Sequence, residues 1–99
     1  MDILANAARI AIHDKLDSQI KTVDARLQTL KARAESAKAN AELAAIGSLL
    51  IRKEDLHRKV TELMGVGAER LQHAKTDLEA RVADLEKSVK EAEEKLKVH

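Results

Sequence analysis

Residues 16–30 read LDSQIKTVDARLQTL, and their apolar members, Leu16, Ile20, Val23, Leu27 and Leu30, alternate spacings of four and three. Spacings of three and four place all five side chains on one face of an α-helix. The polar residues between them carry both charges, as expected of a face turned to water. The stripe continues into alanines at Ala34, Ala37, Ala41 and Ala44, and resumes at Leu56, Val60 and Leu63. It returns at Leu71, then as Leu78, Val82, Leu85, Val89, Ala92 and Leu96. Long amphipathic helices must bury such a stripe against something.

The fold class expected is therefore all-α: a single domain over residues 1–99, built as a long antiparallel helical hairpin of coiled-coil type. One helix spans residues 2–46, with Asp2 as its cap. The chain turns near 47–53, where Gly47-Ser48 suits a helix end followed by a new cap. A second helix spans 54–98, with Gly65 and Gly67 making a kink or a turn. The alternatives are three helical segments turning at both places, and a single helix through residue 64 followed by a shorter one. The helix seam is assigned to Leu16, Ile20, Val23, Leu27, Leu30, Leu71, Leu78, Val82, Leu85, Val89 and Leu96. Folding about residue 50 sets Ala34 and Ala37 against Gly65 and Gly67, Leu27 and Leu30 near Leu71, and Leu16 near Val82 and Leu85.

Charge tests that pairing. Residues flanking a two-helix seam should carry opposite signs. Lys31 and Lys38 would meet Glu69 and Glu62, but Asp17 and Asp24 would lie beside Glu79 and Glu86. That repulsion means either a slipped register or another chain lying between them. A two-helix seam without a single Phe, Tyr or Trp also buries little. Each buried Leu or Val contributes roughly 1.5–3 kcal/mol, against roughly 1–2 kcal/mol of backbone entropy per ordered residue. Both arguments lead to the same expectation: homo-oligomerisation into a helical bundle, or docking on another helical protein.

Composition narrows the chemistry. There is no Cys, hence no disulfide and no thiol nucleophile. The 18 basic and 17 acidic residues are interleaved and sum to +1, so no long-range field selects nucleic acid or membrane. The longest apolar run, Leu43 to Ile51, is too short to span a bilayer. The acidic start and Arg9 do not resemble a signal peptide, and a cytoplasmic location is expected, with leaderless export left open.

Few residues could carry reactions. Ser18, Ser36, Ser48 and Ser88 sit in helical or turn context without a Gly-x-Ser-x-Gly elbow. Gly65-Val66-Gly67 lacks the glycines and preceding strand of a phosphate loop. Glu54 and His57 have the Glu-x-x-His spacing of di-iron bundles, but such a site needs two of these motifs and two further glutamates. Glu69 and His73 offer two ligands at most. His13 occupies a seam position, where a polar residue can set register. Arg52, Lys53, His57, Arg58 and Lys59 concentrate positive charge that Glu54 and Asp55 dilute. No catalytic, cofactor or metal residue is assigned, and no cofactor is expected.

The apolar cluster around Leu43, Ile46, Leu49, Leu50 and Ile51 is the candidate partner-binding site. At the tip of a hairpin it would be exposed, and exposed apolar patches mark contacts. The expectation is a non-enzymatic interaction or scaffold module, acting as a regulator or chaperone. A lipid-surface protein and a metal-binding bundle are the alternatives.

Overall fold

The computed structural model describes the backbone of residues 3–97 and the side chains of residues 6–97. The expected cap at Asp2 lies outside the described residues. The chain is all-α and forms a bundle of three helices: α1 (Ile3–Ser36), α2 (Asn40–Glu62) and α3 (Ala68–Leu96). Its extents are 54 × 17 × 16 Å. The 34 residues of α1, at 1.5 Å each, run about 51 Å and so set the long dimension.

The first turn lies at residues 37–39, not at 47–53. It is a Schellman closure of α1. The Ala39 amide donates to the Ala34 carbonyl (2.9 Å) and the Lys38 amide to the Glu35 carbonyl (3.1 Å). Lys38 takes the left-handed conformation that the motif requires, with φ 55°. The motif's apolar clasp is made by Ala34 and Ala39, both buried. Glycine is the usual residue at this left-handed position, and Lys38 occupies it here, so the sequence carries no glycine signal for the turn. Gly47 and Ser48 instead lie inside α2. A lone glycine costs a helix only about 1 kcal/mol, which the buried apolar face of α2 outweighs. Of the alanine stripe only Ala34 is buried; Ala37, Ala41 and Ala44 are exposed. Alanine's small apolar area gives little reason to bury one face over another.

The second turn is at the expected glycines. α2 tightens into a 3-10 turn at Leu63–Gly65, closed by the Val66 amide on the Leu63 carbonyl (3.1 Å). Gly67, in extended backbone, caps α3. A Cβ on Gly65 or Gly67 would meet nothing within 4 Å, so neither glycine is there for close packing. They lie at the opposite end of the bundle from Ala34, which removes the expected contact between them. It likewise separates Lys31 and Lys38 from Glu69 and Glu62.

The direction of packing follows from ion pairs. Asp24 meets Lys53 and Asp17 meets His57, so α1 and α2 are antiparallel. Lys15 meets Glu79 and Arg26 meets Glu93, so α1 and α3 run parallel. Leu16 and Val82 therefore do lie at about the same level, but on parallel helices. Leu27 and Leu30 lie level with the C-terminal part of α3, far from Leu71. One continuous core runs the length of the bundle, and every residue of the assigned seam is buried in it. α2 adds Ile46, Leu49, Leu56 and Val60.

The charge conflict of the two-helix reading is resolved by this third face. Asp17 and Asp24 face His57 and Lys53 of α2, while Glu79 and Glu93 face the cations of α1. The element between the like charges is the chain's own middle helix, and the repulsion no longer calls for a second chain.

Candidate functional site: the groove between α2 and α3

The three grooves of the bundle are not equivalent. The α1/α2 groove is closed by Asp24–Lys53 (2.8 Å) and by His57 Nε2 to Asp17 (3.4 Å). Lys53 is the unusual member. It stands at the seam position between Leu49 and Leu56, with a side chain 12% exposed, and it pairs with both Asp24 and Glu54. Burial pushes its ammonium pKa down, but hydrogen bonds to Asp24 and Glu54 outweigh this and hold it above the ordinary lysine value. The hydrogen bond from Lys53 holds Asp24 below the usual carboxylate range. Asp17 is lowered chiefly by Lys21, with Coulombic help from His13 and His57. The α1/α3 groove is bridged by Lys15–Glu79 (3.5 Å) and by a two-point pair between Arg26 and Glu93. That pair lowers the Glu93 carboxyl and raises the Arg26 guanidinium.

The α1/α3 groove keeps a hollow of about 210 Å³ beside Arg26 and Glu93, and the hollows along the α2/α3 groove are larger. Arg52 bridges the α2/α3 groove, donating to Asp84 (3.1 Å) and to the Ser88 hydroxyl (3.2 Å). On one side of this bridge lies a hollow of about 690 Å³, lined by Ile51, Asp55 and Arg58 of α2 and by Arg81 and Asp84 of α3. On the other side a second hollow, of about 340 Å³, is lined by Ala45, Ser48 and Leu49 against Ser88, Ala92 and Lys95. Small side chains on both walls of this second stretch leave room for a third backbone to approach closely. Ile51, on the lining of the first hollow, is 73% exposed, the most exposed of the large apolar side chains described. Ile10 and Met64, at 44% and 43%, are the others.

This corrects the candidate partner-binding site. Ile46 and Leu49 are buried in the core, and Leu43 and Leu50 are half-buried and packed against it. They serve the bundle itself, because α2 turns the inner side of this apolar run inward. Only Ile51 of the five faces solvent. Ala44, Ala45 and Ser48 of the same helix are exposed as well. Lys53, read from sequence only as part of a basic concentration, is a half-buried seam residue, and the exposed Arg81 carries no sequence signal of its own. Lys53 was legible as a charge at a heptad position, whereas the approach of Arg81 to α2 depends on packing.

The basic concentration is dispersed. Arg52 reaches Asp84, Lys53 reaches Asp24, and Arg58 and Lys59 both reach Asp55. His13 is half-buried beside Asp14, and Glu69 and His73 are both exposed. Among the described residues, no group of three or more His, Cys, Asp or Glu side chains is placed to hold a metal ion. No helix of the described residues is long and apolar enough to cross a membrane. Comparison with known proteins finds no matching family model, no similar curated protein and no similar solved structure.

Proposed function

We propose that the protein is a non-enzymatic interaction module whose α2/α3 groove takes a helix of another polypeptide chain. The observation that carries this reading is Ile51: a large apolar side chain left in water, on the lining of the 690 Å³ hollow, on a helix whose other large apolar residues serve the core. A buried apolar anchor surrounded by polar and arginine side chains is the composition of an interface centre with its rim. Ala45, Ser48 and Ala92 form the low wall along which an incoming helix would lie.

A photo-crosslinking side chain in place of Ile51, compared with the same group at the exposed Ala32 of α1, tests the reading. Discrete adducts are expected from position 51 and none from position 32. Adducts from neither position, or equally from both, would remove the groove as the binding face.

A further inference from the structure

We infer that the occupant of the α2/α3 groove is a second copy of this chain, packed about a twofold axis parallel to the helices. The inference rests on the groove reading above and supplies the partner. The signs of the charges along the two rims are complementary. On α2, Arg52, Asp55 and Arg58 read plus, minus, plus. On α3, Asp77, Arg81 and Asp84 read minus, plus, minus. All six side chains are substantially exposed. Of their ion pairs only Arg52–Asp84 crosses the groove; Arg58–Asp55 and Arg81–Asp77 are formed within one helix. Asp55 and Arg81 therefore reach the mouth of the groove without meeting each other.

Two face-to-face dimers are possible. An axis lying across the helices reverses their direction and lays α2 against the partner's α2. With that axis at the level of Asp55, two plus, minus, plus rows meet in reverse, and Arg52 opposes Arg58 of the partner subunit. An axis along the helices keeps every residue at its own level and lays α2 against the partner's α3. Because α2 and α3 are antiparallel within one chain, Arg52 then falls level with the partner's Asp84 and Asp55 with the partner's Arg81. Arg58 falls level with the partner's Asp77. Each sign meets its opposite, and the register needs no adjustment, because the twofold inherits it from the chain. The four helices so joined form an antiparallel bundle, α1 of each copy lying outside it. Ile51 enters at the level of Asp84 and Ser88 on the opposite wall, where Arg52 already marks the correspondence.

Sedimentation equilibrium of the purified chain across micromolar to millimolar concentrations should show a species of twice 10.9 kDa. Ile51→Lys, at a surface position, should weaken the dimer by at least about tenfold. Asp55→Arg and Arg81→Asp should each weaken it, and the two combined should restore it. The absence of cysteine allows single labels. Labels at Ala41 and at Glu62, in separate proteins, should give nearly equal and short distances between copies. The reversed dimer would put at least one of these label pairs more than about 30 Å apart. A chain monomeric at every concentration, or that long distance, overturns the inference. If the protein is monomeric while position 51 crosslinks to a different polypeptide, the groove reading stands and self-pairing falls. If position 51 gives no adduct, both fall.

Discussion

Two backbone positions locate the first half of the fold. Lys38 holds φ 55° so that the Ala39 amide can close the end of α1, and a side chain in that region costs on the order of 1 kcal/mol. Glycine has no such cost. Lys38→Gly should therefore raise stability by about 1 kcal/mol in chemical denaturation, provided Lys38 is the turn. Gly47 is the complementary case. It lies within α2, and an added Cβ would meet nothing within 4 Å. Gly47→Ala should raise stability by about 1 kcal/mol. Were the chain to turn at 47–53, the same change would lower it, so this one substitution separates the two topologies. Turn chemistry was illegible at Lys38 because the decisive hydrogen bonds are backbone bonds, available to any residue that tolerates the conformation.

Each helix carries a sorting code on its edges. α1 presents Asp17 and Asp24 to α2, and Lys15 and Arg26 to α3. α3 answers with Glu79 and Glu93, and Glu86 adds attraction for Arg26. Exchanging the places of α2 and α3 would set the aspartates of α1 against these glutamates. The handedness of the bundle is thus selected by repulsion as well as attraction. Lys53 is the most constrained member, because it occupies a seam position where an apolar residue would otherwise sit. A partly buried pair loses more on reversal than a surface pair does. Lys53→Glu should cost about 2 kcal/mol, and adding Asp24→Lys in the same chain should recover most of it, measured as a double-mutant cycle. The like charges that a two-helix reading could not reconcile were therefore informative. They recorded the position of α2, which a heptad pattern alone does not reveal.

At the scale of the whole molecule, the carboxylates of the groove-closing pairs determine how stability responds to pH. Asp17, Asp24 and Glu93 all titrate below their ordinary values of 3.8, 3.8 and 4.5. The unfolded chain then binds more protons than the folded one as pH falls through this range. Their contribution is complete above those ordinary values and is lost as pH drops through the folded ones. The melting temperature should be level near neutrality and should fall as the solution is acidified below about pH 4. Asp24→Asn should make that fall shallower, read by circular dichroism at fixed protein concentration. Arg26 and Lys53 act in the opposite direction, their raised values extending the cationic form further into alkali. Three helices also change the stability argument. A two-helix seam leaves half of each stripe uncovered, whereas here one chain encloses its own core, with Ile51 the most exposed of the described large apolar residues.

The all-α class, the residues of the seam and a kink or turn at Gly65 and Gly67 were written in the sequence, because helical periodicity depends only on spacing and side-chain polarity and the paired glycines interrupt it. Tertiary structure alone decided where the first turn falls, which helices run parallel, and which side of the Leu43–Ile51 run faces water. Those outcomes depend on competition among several faces for one core. An alanine stripe could not hold against Ile46, Leu49 and Leu56 on α2, whose larger apolar area gains more by leaving water.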